Sequence, residues 1–538
     1  MMAERRRVES WGTKVGVILA VAGSAVGLGN FLRFPGRAAL YGGGVFMIPY
    51  FVSLILLGIP ICWVEWTLGR HGGRYGFNSA PGLFSVVWRS AASRFFGAIA
   101  ILIPVVIYMY YVFIEAWCLG YAWSYLVGAI APGSDPSGYQ AYFSNRFHEY
   151  IGVAEDGSLL RGLTPAIIAV GVCYALNFVL IYRGLSKGIE AFCKWAMPAL
   201  ILAGIVILVR VLTLGTPNPA LPEQNVINAL GFMWNPKPVG DSSSLLSGLA
   251  NPQVWLEAAG QIFFTLSVGF GIIMTYASYL KPDDDVVLSG LTASAANEFC
   301  EVCLGGLITI PAAFLFLGAA PLAAVVGSSI GLGFHAVPVT FEYLPLGHFF
   351  GFLWFGLLFL AAITSSVSML QPAIAFLEEG FDMGRRASMA VLGVITAMGT
   401  LLVVYFSKDT VALDVMDFWV GTTLMVVLAL FEVLLFGWVL GVDAGLKEAN
   451  RGSALHIPRI FRPIIRYVCP AYLFIILVAF AYESFPAQAR AVAERPVAML
   501  TVIFMVVLFV FLWLLVHLAA RRWERERRYA PASRRTRP

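Results

Sequence analysis

About twelve stretches of this chain are apolar over the roughly 20 residues that a helix needs to cross a hydrocarbon layer. Spans are expected near 12–38, 43–69, 96–126, 164–182, 190–213, 253–280, 287–315, 349–379, 387–406, 411–439, 466–483 and 497–519. Such runs fix the class before any motif is read. Only 12% of the 538 residues are charged and 59% are hydrophobic, against about 25% charged in soluble domains. The expectation is an all-α polytopic membrane protein with 12 transmembrane helices.

Charge sets the orientation. Arg5, Arg6 and Arg7 run straight into the first span with no small-residue cleavage site, so that span is expected to remain in the mature protein. The loop after the second span holds Arg70, Arg74, Arg89 and Arg94 without an acid, and Lys447, Arg451, Arg459 and Arg462 lie between the tenth and eleventh. Positive loops stay in the cytoplasm, so both termini are expected there, in an inner (cytoplasmic) membrane. No Lys or Arg occurs from Val302 to Gly384, which suits an outer loop. Asp283, Asp284 and Asp285 fall on the inner side, where acids weigh little. The net charge of +5 gathers in these loops and in the tail from Arg521 to Arg537, a solvated, topology-setting segment that implies no nucleic acid. Seven cysteines, including the lone Cys300/Cys303 CxxC, read as packing residues rather than a zinc or redox site.

Two spans carry glycines and hydroxyls at mid-depth. The first reads Gly23-Ser24-Ala25-Val26-Gly27-Leu28-Gly29-Asn30 and the sixth Phe264-Thr265-Leu266-Ser267-Val268-Gly269-Phe270-Gly271. Irregular backbone at that depth is tolerated only where it is buried in protein or lines a cavity. Gly23 and Gly27 alone would equally serve helix packing. Each interrupted span opens a run of five, the spacing of two inverted repeats with a binding site between them. The chain then divides into 1–11, a cytoplasmic N-terminus; 12–213, the first repeat; 214–252, an outer loop; 253–439, the second repeat; 440–519, two further helices; and 520–538, a basic tail.

The stretch Ser24 to Pro35 resembles the first-helix signature of the neurotransmitter:sodium symporters, and of their bacterial leucine-transporter branch in particular. The likeness continues through Gly42 to Tyr50, Tyr110-Tyr111, Gly260 to Ser267, Asn297-Glu298, Thr364-Ser365-Ser366 and Met416 to Trp419, in order. It implies the leucine-transporter fold and Na⁺-coupled symport of a small or medium apolar L-amino acid by alternating access, with Na⁺ at two sites and no organic cofactor. One sodium would lie among the Ala25 carbonyl, Asn30, Thr265, Asn297 and the substrate carboxylate. The other would lie among the Gly23, Val26 and Ala361 carbonyls and the Thr364 and Ser365 hydroxyls, an all-oxygen set that suits a hard cation.

Unwound backbone supplies the rest. Leu28 and Gly29 offer N–H groups to a carboxylate; Ala25, Phe264 and Thr265 offer carbonyls to an ammonium or Na⁺. By resemblance Tyr111 also meets the carboxylate, Phe264 is the lid, and Ile107, Phe264, Ser267, Phe270, Ser365 and Met369 surround the side chain. Family members that carry biogenic amines place Asp at the position of Gly27, so this chain's substrate is expected to bring its own carboxylate. Chloride-dependent relatives place a small hydroxyl at the position of Glu301, near those of Tyr50, Gln261, Thr265 and Asn297. The carboxylate here implies chloride independence, with proton return on Glu301 as its extension.

Among intramembrane acids, Glu65 is expected to accept from unwound backbone, while Glu115 and Glu432 have no assigned role. Arg33 and Asp417 match the pair that closes the outer mouth, with Phe264 and Tyr111 beneath it; Arg37 adds a charge no family rule covers. At the inner mouth the family pairs an Arg, three residues before the tryptophan matching Trp11, with an Asp. Here Val8 stands at the first position, with Arg7 beside it, and Glu379 at the second. The alternatives are a sodium-coupled transporter of another amino-acid-like or amine substrate, a channel or substrate-sensing receptor on the same fold, and a membrane enzyme, for which Gly184 to Gly188 supplies a GxSxG match without a strand-to-helix elbow.

Overall fold

The computed structural model describes residues 10–133, 135, 138–152, 165–236, 245–318 and 331–529. Among these, ten helices are long and apolar enough to cross a membrane. The pair α1 (Lys14–Ala25) and α2 (Gly29–Leu40), bent by 48° at a short break, makes one more span. Next come α3 (Gly44–Gly73), α4 (Ala91–Leu126), α5 (Pro165–Tyr182) and α6 (Leu185–Leu212). A second broken pair, α7 (Pro252–Leu266) and α8 (Ile272–Ser278), occupies the place of the expected sixth span. The chain ends with α9 (Val286–Phe316), α10 (Gly347–Phe381), α11 (Arg385–Tyr405), α12 (Lys408–Ala449), α13 (Phe461–Glu483) and α14 (Pro496–Arg525).

Several helices outrun the apolar stretches that signalled them. The tenth expected span ended at 439, whereas α12 continues to Ala449; the last ended at 519, whereas α14 runs to Arg525. Hydropathy marks the length inside lipid, and a helix continues into water wherever its polar residues face outward.

Burial sorts the helices into centre and rim. α4 is apolar on all sides and buried along nearly its whole length, which suits a core helix. It packs along α10, while α1 leans on α6, α9 and α10, and α8 packs on α3. The Asp283–Asp285 turn meets the basic segment after α12: Arg451 pairs with Asp283 at 2.7 Å, and the Ala454 N–H donates to Asp285 at 2.7 Å. The acidic turn therefore shares a face with a positive loop. Gly184 to Gly188 leads into a helical turn at Leu185–Glu190 with no strand before it. All seven cysteines are free, and among the described residues no group of His, Cys, Asp and Glu is arranged to hold a metal ion.

The second break rests on glycine. Ser267, Gly269 and Gly271 have φ of 53°, 75° and 74°, and a Cβ on Gly269 would lie 2.6 Å from the Met425 carbonyl. Gly269→Ala should lower the melting temperature of the detergent-purified protein by about 1–3 °C, the effect of about 1–3 kcal/mol of backbone strain in a chain of this length. Gly260→Ala, inside α7 where a Cβ meets no atom within 4 Å, should leave it unchanged or raise it slightly, since alanine favours the helix.

Candidate functional site

The break between α1 and α2 leaves backbone donors and acceptors facing inward. Val26, the last cap of α1, is extended at φ −73° and ψ 96°. The Gly27 N–H donates to Asn30 Oδ1 at 2.8 Å and the Leu28 N–H to the Tyr111 hydroxyl at 3.0 Å. Across the gap the Ser267 hydroxyl donates to the Ser24 carbonyl at 3.2 Å, tying the two breaks together. Gly29 opens a π-helical turn through Arg33, and similar turns carry Glu301 at Phe299–Gly306 and Asp417 at Asp417–Leu424. Such turns recur at functional positions because they re-aim side chains without ending a helix.

One cluster gathers Ala25, Asn30, Thr265 and Asn297. Asn30 Nδ2 donates to Thr265 Oγ1 at 3.1 Å and reaches the Asn297 side chain at 2.9 Å. The same end of the Asn297 amide lies 3.2 Å from the Ala25 carbonyl and 3.2 Å from the Thr265 carbonyl. Turned with nitrogen there, Asn297 donates to both; turned with oxygen there, three oxygens converge on one point.

The other cluster gathers Gly23, Val26, Ala361, Thr364 and Ser365. Ser365 Oγ lies 3.3 Å from the Gly23 carbonyl, 3.4 Å from that of Val26 and 3.1 Å from that of Ala361. A hydroxyl has one proton and serves one acceptor at a time. Two carbonyls thus keep lone pairs aimed at the same space, while Thr364 Oγ1 lies 3.1 Å from the Ala361 carbonyl.

Between the clusters a small cavity, ≈ 20 Å³, is lined by Ser24, Gly27 and Gly29 together with Ile107, Tyr111, Phe264, Ser267, Phe270, Ser365 and Met369. That is room for about one water. Phe264 presses on Gly29, whose Cβ would lie 2.8 Å from the ring. Above it opens a cavity of ≈ 310 Å³ lined by Arg33, Arg37, Tyr110, Asp414 and Asp417 among others. Arg33 and Asp417 face this cavity from separate anchors. The Arg33 guanidinium lies 4.8 Å over the Phe264 ring and donates to the Gly260 carbonyl at 3.3 Å. Asp417 accepts from the Tyr110 hydroxyl at 2.8 Å. Arg37 pairs with Glu257 at 3.4 Å.

Glu301 is buried and accepts from Gln261 Nε2 at 2.8 Å, from Asn30 Nδ2 at 3.1 Å and from the Thr265 hydroxyl. The Tyr50 hydroxyl lies near Glu301, as expected, and donates to Glu298, three residues earlier on α9, at 2.7 Å. Glu65 accepts from the Gly269 N–H of the second break. Glu115 accepts from Asn177 at 3.0 Å and from the Ser366 hydroxyl at 2.7 Å, a network on the far side of Ser365 that no motif announced. Sequence reasoning also passed over Glu190, which holds the base of α1. Its one signal was being the only acid from Pro165 to Thr213.

The family model for sodium:neurotransmitter symporters matches residues 8–132 and 133–523. A sodium-dependent transporter of Methanocaldococcus jannaschii is 30% identical over 470 residues, covering 86% of this chain and 89% of that protein. One from Haemophilus influenzae is 26% identical over 495 residues, covering 89% and 99%. The crystal structure of MhsT in complex with L-phenylalanine superposes with a TM-score of 0.73 at 26% identity, over 88% of this chain and all of that one. The matched residues include both helix breaks and both oxygen clusters, and the chain belongs to the sodium:neurotransmitter symporter family as a multi-pass, sodium-dependent symporter.

Proposed function

We propose that this symporter carries an apolar L-amino acid together with Na⁺, independently of chloride, by alternating access. The observation that carries the reading is that the first break presents backbone N–H groups and hydroxyls but no charged side chain. Leu28 N–H and the Tyr111 hydroxyl meet at 3.0 Å, where a substrate carboxylate would take both. A Cβ on Gly27 would lie 2.7 Å from the Tyr111 oxygen and 2.9 Å from Ser365 Oγ. Glycine there gives no acidic side chain to receive an amine, so the carboxylate would come with the substrate. MhsT, bound to L-phenylalanine in the matching structure, supports an apolar amino acid of that class.

The Ala25, Asn30, Thr265 and Asn297 cluster would hold one Na⁺, with the substrate carboxylate completing its shell. The Gly23, Val26, Ala361, Thr364 and Ser365 cluster would hold the other. For a side chain to enter the small cavity, Phe264 and Met369 must separate; methionine's flexible thioether suits that role. Asp417 would then leave Tyr110 and meet Arg33 above the lid. Glu301, held by Gln261, Asn30 and Thr265, would supply the negative charge that chloride provides elsewhere in the family. The positive loops support a reading with both termini in the cytoplasm and the protein in the cytoplasmic membrane.

Binding of L-amino acids and monoamines to purified protein, in Na⁺ or K⁺ and with or without chloride, tests the whole reading. An apolar amino acid should bind only in Na⁺ and ignore chloride; monoamine binding or indifference to Na⁺ overturns it. Asn30→Ala and Asn297→Ala should each weaken Na⁺ and substrate binding together, by about 10- to 100-fold, the equivalent of 1.5–3 kcal/mol for a contact to a charged group. Unchanged affinity for either ligand removes the shared site. Glu301→Ser should make substrate binding fall when chloride is replaced by gluconate, and indifference to that exchange would remove Glu301 from the role.

A further inference from the structure

The cytoplasmic end of α1 is held by a carboxylate that the family's gate pattern does not include. Glu190 Oε2 accepts from the Gly12 N–H at 2.8 Å, and Oε1 from the Thr13 hydroxyl at 3.0 Å and from Lys194 Nζ at 2.6 Å. The Glu190 side chain is 1% exposed and that of Lys194 40%, so the carboxylate is covered while its ammonium partner reaches towards solvent. The carboxylate lies flat against the helix because position 16 is glycine: a Cβ there would sit 2.0 Å from Oε1. On the other side Trp11 donates to the Tyr276 carbonyl at 3.0 Å and meets its ring edge-on at 5.1 Å.

Glu379, the acid expected at the inner mouth, is engaged elsewhere. It accepts from the Asn78 N–H at 2.6 Å and from the Ser79 hydroxyl. Its carbonyl accepts from Trp523 and Arg528 of the C-terminal segment, at 3.2 and 2.7 Å. Arg7 and Val8 lie outside the described residues.

We propose that Glu190 is the positioning residue that latches α1 in its cytoplasm-closed arrangement, and that the inner path opens when this latch lets go. The proposal rests on the alternating-access reading above. α1 spans about 18 Å at 1.5 Å per residue, with Glu190 at its base and Gly23 and Val26 against Ser365 at its top. A swing of the base therefore pulls two carbonyls away from the second oxygen cluster. Release of the latch and loss of that cation set are one movement.

Cys193 reports the swing. It is buried on α6, and the space beside Gly23 is closed by its sulfur, 3.2 Å from the position of a Cβ on Gly23. The test is site-resolved maleimide labelling of the full-length protein in nanodiscs, with Cys118 and Cys173 as internal references on α4 and α5. Glu190→Gln should raise the Cys193 rate in Na⁺ about tenfold, as expected for one lost charge-assisted contact. Gly16→Ala should do the same with every latch residue intact, although alanine favours the helix itself. Unchanged Cys193 rates in both variants overturn the latch. So do parallel rises at Cys118 and Cys173, which would show a general loosening. Sodium protection of Cys193 in the unaltered protein reports on the transport reading, whereas the ratio of variant to unaltered protein at fixed Na⁺ reports on the latch, so the two fail separately.

Discussion

A helix that unwinds inside a membrane exposes amides that lipid cannot satisfy, and each unmet group costs several kcal/mol. Much of the centre of this protein answers that requirement. Asn30 takes the Gly27 N–H, Tyr111 the Leu28 N–H, Ser267 reaches the Ser24 carbonyl, and Glu65 takes the Gly269 N–H. Every one of these partners comes from a different helix or a different turn of the same one. Satisfying the breaks and assembling a polar site at mid-depth are consequently the same structural act.

The buried carboxylates follow a related logic. An ion deep in the interior is tolerated only when donors replace its water. Glu301 and Glu115 find neutral amides and hydroxyls rather than guanidinium or ammonium groups. Neutral donors leave a carboxylate's charge uncancelled, which an adjacent cation can use; a salt bridge would have cancelled it. At the outer cavity Arg33 reaches a carbonyl and a ring, and Arg37 the mostly covered acid Glu257.

Sequence made the broad plan readable because bilayer length and glycine at mid-span are strong, local signals. The breaks at Val26 to Leu28 and Ser267 to Gly271 stand where glycines and hydroxyls interrupted the apolar runs. The order of Asn30, Thr265, Asn297, Thr364 and Ser365 foretold which side chains gather. Pairings set by rotamer and register were out of reach. Tyr50 lies beside Glu301 but donates to the neighbouring Glu298, a choice between two carboxylates that the sequence does not make. Arg33 lies on Phe264 instead of Asp417 because a guanidinium can rest on a ring face as well as on an acid. Glu190 gave almost no signal, since one acid at a helix start reads as an ordinary surface charge.

Coupling in such a molecule does not require a long path. α1 is one short rod that ends in the first break, and its last turn contributes Gly23 and Val26 to one oxygen cluster and Ala25 to the other. Gly23 and Ala25 end the helix and Val26 turns extended, so the carbonyls of one short stretch of backbone point to both sets. Anything that binds one cluster fixes the orientation of the segment that builds the other, and by reciprocity the second ligand then orders the first. The same rod reaches Glu190 at its base. A rigid element touching three places links them through its own stiffness, which is the least demanding form that such a link can take.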